Sequence, residues 1–145
     1  TGERFAPAQD RRHTLNVVAA TRGPLKAQWT LHFGYGSPLP YTGIAGQWIH
    51  RFYDPGRNIF IGAFTEPYRT ARNALRYPAY SRLDVSAQWQ FGWLGARWLP
   101  TLAVLNTYAR TNVFVYFYDY TKNPPVRRGF TQFPFVPTVG LEVQF

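Results

Sequence analysis

Acid–base or metal chemistry in this chain would have to use three histidines and seven acidic residues. His13, His32 and His50 form neither an H-x-x-x-H nor an H-E-x-x-H pair, the spacing that places two zinc ligands on one helix face. The absence of cysteine removes thiolate ligands, thiol nucleophiles and disulfides together. We therefore predict no metal and no cofactor, although spacing leaves open a metal site gathered from separate strands.

Nucleophilic catalysis is not indicated either. Ser37, Ser81 and Ser86 lie outside any G-x-S-x-G turn. Gly34 and Gly36 are not followed by the Gly-Lys-Ser sequence and helix of a phosphate-binding loop. Spacing leaves open a triad assembled across strands, as an outer-membrane phospholipase or protease would need. The prediction is nevertheless that the chain is not an enzyme.

Aromatic rings interleaved with arginines are the other combination that could bind a ligand. In residues 36–79 such side chains could hold an anionic ligand, for example a metal chelate, through cation–π contacts and charged hydrogen bonds. An aromatic girdle or a set of solvated loop side chains fits the same pattern. The candidate ligand-binding residues are Trp48, Arg51, Tyr53, Arg57, Tyr68 and Arg69.

The composition predicts that strands position these residues. Aromatic residues make up 19% of the chain and favour strands, while 12 Gly and 12 Pro favour the turns between strands. The net charge of +9 is carried mostly by isolated arginines in loop-like stretches. Without a basic repeat or a helix to enter a groove, this charge does not indicate nucleic acid, and anionic lipid headgroups or an anionic ligand fit it better.

Alternation with a period of two is clearest in residues 133–145. The odd positions are apolar from Phe133 to Phe145, whereas most even positions are polar or small. This alternation spans more residues than the five or six of an ordinary soluble strand. It has instead the length of a membrane strand, which needs about 9–11 residues with one face in lipid.

The same alternation recurs in residues 83–91 and 28–35 and more weakly in residues 13–21. Residues 99–117 are apolar at both parities, so their faces cannot be read from the sequence. The prediction is an all-β antiparallel meander of five strands, or seven if residues 47–53 and 58–64, around the turn Asp-Pro-Gly-Arg at 54–57, also cross the membrane. Short connections at 22–25 and 92–97 alternate with long ones at 36–79 and 118–127, the latter containing the breaker Asn123-Pro124-Pro125. This alternation is typical of periplasmic turns and extracellular loops.

Three segments resemble the final strands of the TonB-dependent outer-membrane receptors. They are Tyr-Gly-Ser-Pro-Leu-Pro-Tyr-Thr at 35–42, Pro-Ala-Tyr-Ser-Arg-Leu-Asp-Val-Ser at 78–86, and residues 102–113 with Asn106 and Asn112 at the family's recurrent asparagine positions. Residues 127–145 resemble the last strand. Together the four segments contain 48 residues of the chain.

The resemblance implies that residues 1–145 are the C-terminal part of a transmembrane β-barrel in the bacterial outer membrane. Its activity would be energy-coupled uptake of a scarce nutrient such as a metal chelate. The expected partners are outer-membrane lipid, the barrel-assembly machinery, and the TonB system through a plug domain that the chain lacks. Because Thr1 follows no signal sequence, we expect the chain to be a fragment.

Two further sets of residues receive roles from this interpretation. The polar side chains expected to line the lumen are Arg82, Asp84, Asn106 and Gln132. In outer-membrane barrels the terminal strand is the address that the assembly machinery recognises, and the matching residues here are Thr138, Gly140, Leu141, Val143 and Phe145. A soluble β-sandwich that binds carbohydrate or protein and a small outer-membrane β-barrel enzyme are the alternative functions.

Overall fold

The computed structural model describes Gly2, residues 4–122 and residues 125–145. The paired strands run antiparallel and the described residues contain no α-helix, so the predicted all-β antiparallel fold is confirmed. Asn123 and Pro124 of the predicted breaker lie outside the described residues. In chain order the strands are β1 (Thr14–Arg22), β2 (Gln28–Gly36), β3 (Pro40–Tyr41), β4 (Ile44–Asp54), β5 (Ile59–Arg69), β6 (Leu75–Arg76), β7 (Tyr80–Gln88), β8 (Phe91–Trp93), β9 (Ala96–Leu105), β10 (Val113–Asp119), β11 (Val126–Thr131) and β12 (Val136–Gln144).

The chain divides into two compact units. One comprises Arg11–Pro38, Pro78–Phe114 and Thr131–Phe145 and contains the main sheet. The other comprises the N-terminal residues up to Asp10 together with Leu39–Tyr77 and Val115–Phe130.

The main sheet is a sequential meander in the order β1-β2-β7-β9-β12, with the short β8 paired to β9. Its five long strands have nine or ten residues each. They correspond to the five strands predicted from the alternation. The predicted strand at 133–145 begins only at Val136, so Phe133 and Phe135 precede β12.

All short connections lie at one end of the main sheet. A 3₁₀ turn at Pro24–Lys26 joins β1 to β2, and a tight turn at Leu94 and Gly95 joins β8 to β9. The long excursions between β2 and β7 and between β9 and β12 leave from the opposite end. We call these the short-turn end and the long-loop end.

Residues 99–117 do not form the single strand that their apolar composition predicted. The strand stops after Leu105, and Asn106 and Ala109 take positive φ angles of 54° and 53° before β10 begins. Asn112 then replaces a strand partner for β7, because its Nδ2 donates to the Ser81 carbonyl at 2.8 Å and its Oδ1 accepts from the Ser81 N–H at 3.1 Å. This amide satisfies a backbone position that β9 has left unpaired.

Within the other unit, β4 and β5 form a hairpin of eleven-residue strands around the predicted turn at 54–57. The Asp54 carboxylate accepts hydrogen bonds from the N–H groups of Gly56 and Arg57, which is the usual stabilisation of an Asx turn. Strands β3 and β6 form a short ladder, and β10 pairs with β11.

Candidate functional site

The two faces of the main sheet differ sharply in polarity. Because side chains alternate along each strand, the register places partners of one parity on one face. We call the face of Leu31 and Val85 the apolar face and the face of His32 and Asp84 the polar face. Two neighbouring rows on the apolar face are Trp29, Ala87, Leu102, Val139 and Leu31, Val85, Val104, Pro137.

The apolar face is exposed. Val139 is 82% exposed, Leu141 60% and Leu102 47%. Among the described residues only five apolar side chains are buried: Pro40, Tyr41 and three alanines. A hydrophobic effect of about 25 cal/mol per Å² makes such a face costly in water. The sheet therefore needs an apolar environment on this side.

The total exposed area leads to the same inference. The chain exposes 11043 Å². A compact monomer of 16.7 kDa is expected to expose about 7,600 Å², and two separate compact halves about 9,200 Å². The excess is larger than a division into two compact units would cause, so the described chain buries less surface than a compact soluble protein of this size.

The polar face carries a connected set of charged and hydrogen-bonding groups. Asp84 is at its centre: Arg82 Nη2 lies 2.8 Å from Asp84 Oδ2, and His32 Nδ1 lies 3.6 Å from the same oxygen. The second oxygen of Asp84 accepts from the Asn106 N–H at 2.9 Å. Arg82 and Asp84 thus lie opposite the apolar face, where the sequence predicted them.

The other two residues predicted for the polar wall are placed differently. Asn106 is only 2% exposed, and its Nδ2 donates to the carbonyls of Arg110 and Phe133. Its amide is used within the fold and does not face a lumen. Gln132 lies between β11 and β12, outside the main sheet, and its N–H donates to the Asn112 carbonyl. The sequence did not indicate these placements, because the apolar residues at 99–117 gave no sign of the turn between β9 and β10.

Tryptophans concentrate at the short-turn end. Four of the five in the chain lie there: Trp89 follows β7, and Trp29, Trp93 and Trp98 have the parity of the apolar face. The indole N–H of Trp29 donates to the Pro24 carbonyl at 3.2 Å, and that of Trp98 to the Trp93 carbonyl at 3.0 Å. Rings with an apolar body and a satisfied N–H are suited to a boundary between an apolar layer and water.

The predicted ligand-binding residues of the loop are not brought together. They lie on or beside the β4–β5 hairpin, but Trp48 and Tyr68 pack at 6.0 Å on one face, whereas Arg51 and Tyr53 have the opposite parity in β4. Arg57 lies in the turn and Arg69 at the far end of β5. The six residues therefore do not form one site. The sequence suggested a site because it reports proximity along the chain and not the face on which each side chain lies.

A tyrosine–arginine cluster that the sequence did not predict lies in the unit of the long loops. The rings of Tyr41, Tyr77 and Tyr116 have centroids 4.5 to 5.2 Å apart. Arg127 Cζ lies 4.4 Å from the centre of the Tyr116 ring, and its Nη1 donates to the Tyr41 hydroxyl at 2.8 Å. These residues come from four separate segments, so no local signal could have revealed them.

The pKa values of two residues in this cluster are raised. Burial raises the pKa of Tyr41, and the hydrogen bond to Tyr41 raises the pKa of Arg127. Because the pKa of Tyr41 is raised in the folded state, Tyr41 contributes stability below the ordinary tyrosine pKa of about 10. This contribution is lost as the pH rises through the raised value. Because Tyr41 is buried and its hydroxyl is already bonded, the cluster acts as a clamp between loop segments.

Replacing Tyr41 with phenylalanine is expected to loosen this clamp by about 1 kcal/mol, since one hydrogen bond to a partly solvated arginine is lost. Faster hydrogen exchange at the Tyr77 N–H, which donates to the Leu39 carbonyl, would report it. Tyr53→Phe is the matched control, because the Tyr53 hydroxyl bonds only to Asn58 on the exposed hairpin. Equal exchange in the two variants would show that the cluster does not hold these segments.

The segment proposed as an assembly signal is the edge strand β12. Thr138 and Gly140 lie on the polar face and Leu141 and Val143 on the apolar face, while Phe145 follows the strand and is fully exposed. In the main sheet β12 is paired only to β9 among the described residues, so its other edge is open. An open edge can accept a further strand.

Comparisons with protein-family models, with curated proteins and with solved structures find no match for this chain. No helix in the described part of the chain is long and apolar enough to cross a lipid bilayer. Within the same part, no group of three or more histidine or acidic side chains is placed to hold a metal ion. The main sheet, with its exposed apolar face and the connected charged groups of its polar face, is the candidate functional surface.

Proposed function

We propose that this chain is part of the wall of a bacterial outer-membrane β-barrel, the C-terminal part of a TonB-dependent receptor that imports a scarce nutrient such as a metal chelate. The observation that carries the proposal is the exposed apolar face of the main sheet, backed by a polar face over five strands of similar length. In a barrel wall the first face meets lipid and the second meets the lumen or the plug.

The strand length fits this placement. Nine residues at about 3.3 Å each span about 30 Å, and a tilt of about 40° reduces the height to about 23 Å. That height is close to the apolar band of about 25 Å in outer-membrane barrels. The tryptophans of the short-turn end would then form the aromatic girdle at the periplasmic interface.

The open edges of β1 and β12 also fit a wall segment. Unpaired backbone groups cannot face hydrocarbon, because each costs several kcal/mol. Further strands of the same barrel would pair with these edges, as in a wall of about 22 strands around a plug. A soluble β-sandwich would instead bury its apolar face, whereas Val139 and Leu102 are exposed.

The narrower assignment to TonB-dependent receptors is supported by two segments of the resemblance that contact each other. The Asn106 backbone N–H donates to the Asp84 carboxylate, and the Asn112 side chain bonds the N–H and the carbonyl of Ser81. The Asn112 amide gives a physical reason why an asparagine of one segment should occur with the other segment, because it holds the chain where β9 departs from β7. A plug domain and about 17 further strands in the same reading frame would complete such a receptor.

Single cysteines introduced into this cysteine-free stretch test the membrane placement. In the intact, exported protein we expect Leu31→Cys to resist a charged maleimide and Thr30→Cys, its neighbour on the polar face, to react from water. Val139→Cys and Thr138→Cys form a second matched pair on another strand. Outer-membrane fractionation identifies the location, and unfolding in SDS shows that all four thiols can react.

If Leu31→Cys and Val139→Cys react as fast as their neighbours in the folded, exported protein, the apolar face meets water. The barrel-wall proposal would then be wrong.

A further inference from the structure

A pocket of about 560 Å³ lies on the polar face of the main sheet at the short-turn end, and its size is that of a small-molecule site. Arg22 of β1 pairs with Gln28 of β2, which pairs in turn with Gln88 of β7. These three side chains therefore lie side by side on one face across three strands. The other lining residues come from the connections that follow β1 and β7: Lys26, Trp89 and Gln90.

The lining of this pocket is cationic and rich in amide groups. Arg22 and Lys26 supply two positive charges, and none of the lining residues is acidic. Neither cation forms an ion pair with a described residue. Gln88 Nε2 donates to Thr101 Oγ1 at 3.1 Å, and its second hydrogen can donate to a ligand. Cationic and amide donors of this kind bind carboxylate and phosphate oxygens.

The turn that carries Lys26 is strained. Leu25 has a φ of 63° and Lys26 a φ of 55°, a left-handed conformation that is unfavourable for residues with a side chain. Two-residue hairpin turns with positive φ at both positions favour Asn-Gly, which lowers this strain. The chain has a leucine and a lysine there instead. Such strain is often found where a side chain serves a site, and the Lys26 side chain lines the pocket.

We propose that this pocket binds a small dianion, carrying either two carboxylates or one phosphate, with its charged oxygens at Arg22 and Lys26 and its other polar groups at the glutamine amides. The net charge of +9 draws anions towards the protein. In the barrel wall proposed above, the polar face meets the lumen, so the site lies inside the barrel at its short-turn end. That location rests on the proposed function, whereas the site itself rests on the sheet.

Isothermal titration calorimetry of the intact protein in an uncharged detergent tests the site. We expect glutarate, which has two carboxylates, to bind, and glutaramide, its uncharged diamide, not to bind. Inorganic phosphate, titrated alone and in competition with glutarate, identifies the oxyanion that the pocket prefers. Arg22→Gln and Lys26→Gln should each weaken binding of that oxyanion about fivefold, the effect of losing one exposed ionic contact.

Arg97→Gln is the matched control for these two variants. Arg97 lies in β9 at the same end and with the parity of the polar face, but it does not line the pocket. This variant removes the same charge from the sheet and should keep the affinity of the parent protein. An effect of net charge alone would instead weaken binding equally in all three variants.

Lys26→Gly separates binding from folding. Glycine adopts positive φ freely, so the denaturant midpoint of this variant should equal or exceed that of the parent. The same variant should bind the anion about fivefold more weakly, because the lysine charge is lost. If Lys26 served only the turn, its replacement by glycine would leave the affinity unchanged.

Several outcomes would overturn the site. The proposal is wrong if the parent protein binds neither glutarate nor phosphate, or if Arg97→Gln loses as much affinity as Arg22→Gln and Lys26→Gln. Tighter binding of tetraglutamate than of glutarate would assign the pocket to an acidic peptide segment instead of a small anion.

The labelling of Leu31→Cys distinguishes failure of this site from failure of the proposed function. If Leu31→Cys is protected but no anion binds, the anion site is wrong and the barrel wall stands. If the anion binds but Leu31→Cys reacts from water, the barrel wall is wrong and the site belongs to a sheet exposed on both faces.

Discussion

Replacing Val139 with arginine is expected to destabilise the membrane-inserted protein by about 2–4 kcal/mol, the cost of a cationic side chain near the bilayer midplane. Val139 lies near the middle of β12 on the apolar face and is 82% exposed, so in a membrane its side chain would meet lipid. The measurement is the denaturant midpoint of the intact protein folded into lipid vesicles, together with its slope.

The control is Thr138→Arg, one residue earlier on the same strand and on the polar face. This variant keeps the charge, the strand and the depth but changes the face, so we expect little loss of stability. If both variants behave alike, or if Val139→Arg has no effect in vesicles, β12 does not present that face to lipid.

Replacing Asn106 with alanine is expected to cost about 3–5 kcal/mol. The change removes the hydrogen bonds that the Asn106 amide makes to the carbonyls of Arg110 and Phe133, at 2.8 and 3.2 Å, and to the Arg110 N–H, and each is worth a net of about 0.5–1.5 kcal/mol. A further cost of about 1 kcal/mol arises because Asn106 has a φ of 54°, which alanine tolerates poorly.

Asn106→Gly separates the two causes. Glycine adopts positive φ freely, so this variant should recover only the backbone part and remain destabilised by the lost hydrogen bonds. Urea unfolding of the protein in lipid measures the stability of both Asn106 variants. Thr107→Ala, at the exposed neighbouring residue, is the control. Stability equal to that of the parent for Asn106→Ala would mean that the buried amide does not hold the departure of β9 from β7.

An open sheet of this kind depends on its surroundings for stability. The few buried apolar side chains cannot offset the conformational entropy of ordering the chain, which is about 1–2 kcal/mol per residue for the backbone alone. In the proposed setting, lipid covers the apolar face and neighbouring strands complete the backbone pairing. The stability of the sheet variants is therefore meaningful only in the intact, membrane-inserted protein.

The strands could be predicted from the sequence wherever one face differed from the other. Residues 28–35 and 83–91 alternate strictly, and the structure places β2 and β7 there, although β7 begins at Tyr80 and ends at Gln88. The hairpin around Asp54 was predictable as well, because an Asp-Pro-Gly turn needs only local contacts. The prediction of a single strand failed for residues 99–117, because apolar residues at both parities give no sign of a turn inside the segment.

The sequence by itself determined the period-two pattern, the strand order and the contrast between apolar and polar faces, because side-chain alternation is a local property of an extended backbone. Only the tertiary structure decided which long-range contacts form. It buried Asn106, divided Trp48 and Arg51 between two faces, and brought Tyr41 to Arg127 across 86 positions. These contacts join segments far apart in the chain, and a local sequence pattern does not show which distant segments meet.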